Sequence, residues 1–219
     1  MTTGEEERDA IKALPYELAS REVLSLDPED MARRAGAEFV PAPGRQEPGR
    51  IKVPFLGKVH SVILDPDGVQ VVDEEGDPAP KWAEIVILHY LAMARDVPPS
   101  GVTVTFREFK DGHLYHPNFE GRVLRRTEGV FGTRADQLVK AAEPLSGRPA
   151  DHGDAAVTLE VFPRLAVIFV VWEADDEFPA RASVLFDETA EQHLPAEDIV
   201  VLCQQIAGML ARNLSGGNG

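Results

Sequence analysis

The chain has 219 residues, 43% hydrophobic and 27% charged, enough for one globular domain that buries roughly 70% of its unfolded surface without a disulfide or metal. Its 37 acidic residues against 22 basic ones give a formal charge of −15, which opposes nucleic acid and anionic lipid as partners because cationic side chains supply most of the affinity for phosphate. A single cysteine, Cys203, rules out an internal disulfide and any cysteine-ligated zinc or iron–sulfur site within one chain.

No run approaches the ~20 apolar residues that cross a membrane, and the start MTTGEEERDAIKAL has no apolar secretion core, so a cytoplasmic protein is expected. Residues 5–26 read as helix, in two pieces around Pro15, with Ile11, Leu14, Leu18 and Leu24 as an apolar stripe. A second helix starts at Asp27-Pro28: aspartate caps, proline suits the first position, and Gly36 supplies the stop. Residues 41–49 read as loop. Residues 50–72 then form a β-meander with turns at Leu56-Gly57 and at 65–68, and apolar residues on both faces predict a small sheet covered on most of each side.

Residues 81–94 are expected to be a core helix whose buried face is Trp82, Ile85, Val86, His89 and Met93, widened by Leu88 and Leu91. A strand at 102–109 and short helices at 117–127 and 134–142 follow, joined through Gly129 and Gly132. A polar loop at 147–155 leads to strands at 157–162, 165–172 and 182–186, the last pairing with or beside the apolar one. The final helix begins at Leu194-Pro195 and buries Ile199, Leu202, Cys203, Ile206, Met209 and Leu210. The expected architecture is α+β, with mainly antiparallel sheet covered by helices: one domain over residues 1–214 and a flexible tail at 215–219.

Two places are candidate sites. The apolar strand 165–172 runs into an acidic turn holding Glu173, Asp175, Asp176 and Glu177, with Trp172 at the junction where a pocket mouth often lies. Surface turns are commonly acidic, so the first reading is a solvated turn; the functional readings are a ligand or partner site and a hard-cation site built from carboxylate oxygens. Asp187 and Glu188 follow the next strand and lie at the opposite end of the ladder if the two strands are antiparallel neighbours. The second candidate is His113, Tyr115 and His116, projecting from a connection between a strand and a helix. Two imidazoles at that spacing can share a metal, but zinc needs a third ligand that is not identifiable, so polar packing with Tyr115 and Phe119 anchored in the core is favoured. No nucleophile–base set or phosphate loop is present, and the metal and cofactor content is unknown from sequence.

The ordered blocks ILHYL at 87–91, TFREF at 105–109, Tyr115 with Phe119, Gly153-Asp154, FPRLAVIFVVWEADDEFPA at 162–180, LFD at 185–187 and LPAED at 194–198 resemble the prokaryotic family named domain of unknown function 3786. The resemblance spans about residues 11–210. It implies no catalytic residues. Some relatives resemble proteins of anaerobic one-carbon metabolism and carry a cysteine-rich iron–sulfur segment, which implies an accessory role near corrinoid or redox enzymes; this chain lacks those cysteines. The expected function is a non-catalytic accessory or ligand-binding protein for a small molecule, such as a tetrapyrrole or corrinoid, or for a partner protein. The alternatives are a metal-dependent hydrolase or lyase using the clustered carboxylates, and a structural protein-interaction domain.

Overall fold

The computed structural model describes residues 3–42, 44 and 48–216, with side chains from Leu14 to Leu214. The fold is α+β with two antiparallel sheets, and the chain forms two compact units: one holds residues up to Pro54 and Lys58–Asp96, the other Phe55–Gly57 and the chain from Val97 onward.

In the first unit, α1 (Thr3–Ser25) runs through Pro15 without a break. Helix α2 (Pro28–Ala35) starts and stops where the sequence predicts. The Asp27 carboxylate accepts the N–H of Asp30 at 2.8 Å, and Gly36 closes the helix at φ 66°, a left-handed conformation that favours glycine. The stripe expected on α1 faces the other way: Leu14, Leu18 and Leu24 are exposed, while Ala19 and Val23 are buried where α1 packs on α3 (Lys81–Met93). Small side chains let two helices approach closely, so size misled the periodicity; the side chain of Ile11 lies outside the described residues.

The face of α3 is also rotated from expectation. Ala83, Glu84, Val86, Ile87, Leu88, Tyr90 and Leu91 are buried, whereas Trp82, Ile85 and His89 are half-buried and Met93 is exposed. Two polar groups fit the buried face because they have partners: Tyr90 donates its hydroxyl to the Ala35 carbonyl at 2.7 Å, and Glu84 pairs with Lys81 at 2.6 Å.

Strands β1 (Glu38–Val40), β2 (Gly49–Phe55), β3 (Lys58–Asp65) and β4 (Gly68–Val72) form the first sheet in chain order. The meander is as predicted; β1 is an addition, ahead of the loop expected at 41–49. One face is buried through Ile51, Val53, His60, Val62, Val69 and Val71. The other is not covered as expected: Arg50, Pro54, Val59 and Gln70 are exposed, and Lys52, Ser61, Ile63 and Val72 are half-buried.

The second unit is built on β5 (Thr103–Thr105), β6 (Arg148–Ala150), β7 (Ala155–Phe162), β8 (Leu165–Trp172) and β9 (Arg181–Asp187), in the order β5-β9-β8-β7-β6. Strand β8 lies in the middle and pairs along both edges, and Val167, Phe169, Val170 and Val171 are buried, which is why its sequence reads as a nearly continuous apolar run. β5 is shorter than expected because the chain turns into a 3₁₀ segment at Phe106–Glu108, closed by a capping box between Thr105 and Glu108. The short strand β6 replaces part of the polar loop expected at 147–155. Phe106 stacks on Phe119 with centroids 4.2 Å apart, and Phe109 and Phe186 complete this aromatic cluster.

Helix α4 (Gly112–Phe119) begins five residues before the expected start at Pro117. A Cβ at position 112 would stand 2.1 Å from the Phe106 carbonyl oxygen, so only glycine allows this entry. Pro117 lacks an N–H inside the helix, and the chain widens into a π-type turn at Glu120–Leu124 before α5 (Arg125–Phe131). Helix α6 (Gln137–Ala142) and the long α7 (Ala196–Gly216) follow. Ile199, Leu202, Cys203, Ile206 and Leu210 of α7 are buried as expected, with Met209 half-buried. Burial pushes the Cys203 thiol far above its usual pKa, which makes it an unreactive small hydrophobe. α7 includes Ser215 and Gly216 of the expected tail; residues 217–219 lie outside the described residues. Among the described residues, no helix is long and apolar enough to cross a membrane.

Candidate binding site at the acidic corner

Strand β8 ends at Trp172 and β9 begins at Arg181, in direct cross-strand register, so residues 173–180 form the connection between them. The two strands are antiparallel, and Asp187 therefore lies at the far end of the ladder from the corner. There Asp187 serves the scaffold: its carboxylate accepts the backbone N–H groups of Ser100, Gly101 and Thr189.

The connection is held at several points. The Glu173 carboxylate accepts the Ala135 N–H at 2.7 Å, and the Glu173 N–H donates to Asp154 at 2.7 Å. The Ala174 N–H donates to the Gly132 carbonyl at 2.9 Å, and the Ala182 N–H donates to Glu128 at 3.1 Å. Gly132 makes a close approach possible, since a Cβ there would lie 2.4 Å from the Cβ of Ala180. Asp175 closes a tight turn. Its Oδ1 accepts the N–H groups of Glu177 (2.8 Å) and Phe178 (2.6 Å), while its own N–H donates to the Phe178 carbonyl at 3.0 Å. The hydrogen bonds from Phe178 and then Glu177 hold the Asp175 carboxyl below the usual carboxylate range, so it stays charged.

On the other side, Gly153 sits at φ 57°, and a Cβ there would meet the Val171 carbonyl oxygen at 2.6 Å and Val170 Cγ1 at 2.8 Å. The Asp154 N–H then donates to that Val171 carbonyl at 2.9 Å. Gly153-Asp154 thus braces the end of β8 that carries Trp172.

These anchors frame an open cavity of about 640 Å³ lined by Asp154, Trp172, Glu173, Asp175, Phe178, Pro179 and Arg181. Trp172 is 41% exposed and Phe178 64% exposed, so two large rings stand unburied in one concavity. Of the residues expected at this corner, Trp172, Glu173 and Asp175 line the cavity, while Asp176 and Glu177 are exposed on the same turn and do not. Phe178, Pro179, Arg181 and Asp154 were not among the expected site residues. The signal for them lay in the Asp175 turn, which fixes the Phe178 backbone, and in the Gly153-Asp154 pair.

His113, Tyr115 and His116 are on helix α4, not in a loop, and none of them lines this cavity. His113 is exposed; Tyr115 and His116 are half-buried, and His116 Nδ1 lies 4.0 Å from the Glu120 carboxylate, which also accepts from Arg125 at 3.0 Å. Phe119 is buried, as expected. Among the described residues, no group of three or more His, Cys, Asp or Glu side chains is placed to hold a metal ion.

By architecture this is an α+β protein with two antiparallel sheets. Residues 27–209 match the model of the domain of unknown function DUF3786, and the chain belongs to that family. No curated protein and no solved structure matches the chain.

Proposed function

We propose that the protein is a non-catalytic accessory or ligand-binding protein whose site is the cavity between Trp172 and Phe178. The observation that carries this reading is the pair of exposed rings, one at the end of β8 and one on a connection tied down at Glu173, Ala174 and Asp175. A flat or apolar ligand lies against the rings and gains their remaining burial, about 25 cal/mol per Å² of apolar surface covered.

Charge narrows the ligand. Asp154, Glu173 and Asp175 face Arg181 alone among the lining residues, which favours a neutral or cationic ligand over one rich in carboxylates. A cationic head over an indole or phenyl face is worth roughly 0.5–2 kcal/mol. If the ligand is a macrocycle, an amide-bearing corrinoid suits this rim better than a carboxylate-bearing haem. Such a ligand would link the protein to corrinoid and one-carbon redox metabolism.

The test uses Trp172 as reporter in a Trp82→Phe background, with cobinamide, haem and an alkylated aromatic amine as probes in fluorescence titrations. Saturable quenching by cobinamide or the amine, weakened in Phe178→Ala without loss of fold, supports the reading. Equal affinity in the variant, or tightest binding by haem, counts against it.

A further inference from the structure

In the first unit, the uncovered face of the first sheet is itself concave, with an open volume of about 780 Å³. Arg50 and Lys52 alternate along β2 and so share this face, about 7 Å apart at the usual rise per residue. Neither side chain has a hydrogen bond or ion pair with a described residue. Two cations side by side with no partner among the described residues are unexpected on a chain of formal charge −15. Beyond them the floor is apolar: Pro54, Val59, Ile63 and Val72, with Ser61 between.

The surrounding carboxylates limit what can bind. Glu38 lies opposite Lys52 in strand register. At the β4 end, Asp73 accepts the N–H groups of Glu75 and Asp77, and Glu74 accepts the Val59 N–H at 3.3 Å. Glu75 also lines the rim. A polyanion laid across this face meets those four carboxylates, whereas a single anionic group needs only the two cations.

We infer that this face is a second ligand site, taking an amphipathic monoanion whose carboxylate or phosphate sits between Arg50 and Lys52 and whose apolar body lies on Val59, Ile63 and Val72. The guanidinium supplies a planar two-point contact and the ammonium a point charge, so the head is held by charge-assisted hydrogen bonds while the tail excludes water. The site is independent of the Trp172 cavity.

Titration calorimetry with sodium decanoate, below its micelle concentration, tests the assignment. Decanol serves as the uncharged analogue and inorganic phosphate as the head without a tail. Decanoate is expected to bind saturably, about tenfold or more tighter than either analogue, and to weaken as salt is added. The pair Arg50→Gln and Lys52→Gln is expected to leave the melting temperature unchanged and to lower decanoate affinity about tenfold or more. Phe178→Ala, in the other cavity, is expected to leave it unchanged. Decanoate binding no tighter than decanol overturns the inference. So does unaltered affinity in the double variant, a loss that follows Phe178→Ala instead, or light scattering showing that a second copy of the chain occupies the face through Arg50 and Lys52.

Discussion

Asp187→Asn removes the charge from a carboxylate that joins the start of β5 to the end of β9. Oδ1 accepts the Thr189 N–H at 3.0 Å, the Thr189 hydroxyl at 2.7 Å and the Ser100 N–H at 3.1 Å, and Oδ2 accepts the Gly101 N–H at 2.8 Å. Partial burial pushes this carboxyl's pKa up, but the hydrogen bonds from Thr189, Ser100 and Gly101 outweigh it and lower the value from 3.8 to about 2. A group whose folded pKa is depressed contributes stability that is fully present above the unfolded pKa and is lost as pH falls through the folded one. The window is therefore about pH 4 to about pH 2. The drop corresponds to at most about 2.4 kcal/mol, and solvent screening at a partly exposed carboxylate reduces it to about 1–2 kcal/mol. Asparagine keeps one acceptor but turns an NH₂ toward a backbone donor, so a loss of about 1–2 kcal/mol is expected at neutral pH. Urea midpoints for both proteins, from neutral pH to the lowest pH at which both stay folded, measure it. The gap should be full near neutrality and close as pH falls below about 4. A gap below about 0.5 kcal/mol at neutral pH, or one that stays constant on acidification, refutes the reasoning.

Val170→Ala is expected to destabilise by roughly 2–3 kcal/mol in denaturant melts, because Val170 is fully buried in the central strand; Ile168→Ala, at a half-buried position, should cost less. Gly153→Ala should cost roughly 1–3 kcal/mol and shift Trp172 emission, since the new Cβ meets the Val171 carbonyl at φ 57°; an unshifted spectrum would separate Gly153 from the ring it is held to brace. Asp176→Asn with Glu177→Gln should change stability by less than about 0.5 kcal/mol, because both side chains are exposed; a larger loss of stability would place them in the scaffold. If these two charges attract the ligand, the same pair lowers the affinity of a cationic probe with no change in melting temperature.

Strand β8 was legible from residues 165–172 because a strand paired on both edges and buried through Val167, Phe169, Val170 and Val171 needs an apolar run. The cap, proline and glycine of α2 were legible for the same local reason: each acts within a few residues of its own position. The faces of α1 and α3 were not. Which stripe is buried depends on partners such as the Ala35 carbonyl, 55 residues from Tyr90, and on Ala19 and Val23, whose small size hides them from a search for large apolar residues. The acidic corner was legible as a list of carboxylates and as a junction at Trp172. Its cavity was not, because the Ala135 N–H that fixes Glu173 lies 38 residues away and the lining includes Phe178, a residue that a sequence reading assigns to a turn.

The cost of ordering the corner helps to tell a platform from an incidental turn. Fixing each backbone residue of the connection costs about 1–2 kcal/mol, and burial of Trp172 and Phe178 offsets little of it, because both rings remain exposed. The offset comes instead from hydrogen bonds that the carboxylates of Glu173, Asp154 and Asp175 accept from backbone N–H groups. Those bonds are made before any ligand arrives. A ligand entering between the rings therefore meets a wall already in place and avoids the ordering cost that a mobile loop would impose on binding. Weakening an anchor should then reduce affinity even when the ring contacts are intact. Glu173→Gln, which keeps one acceptor for the Ala135 N–H, should lose less binding than Glu173→Ala in the same fluorescence titration.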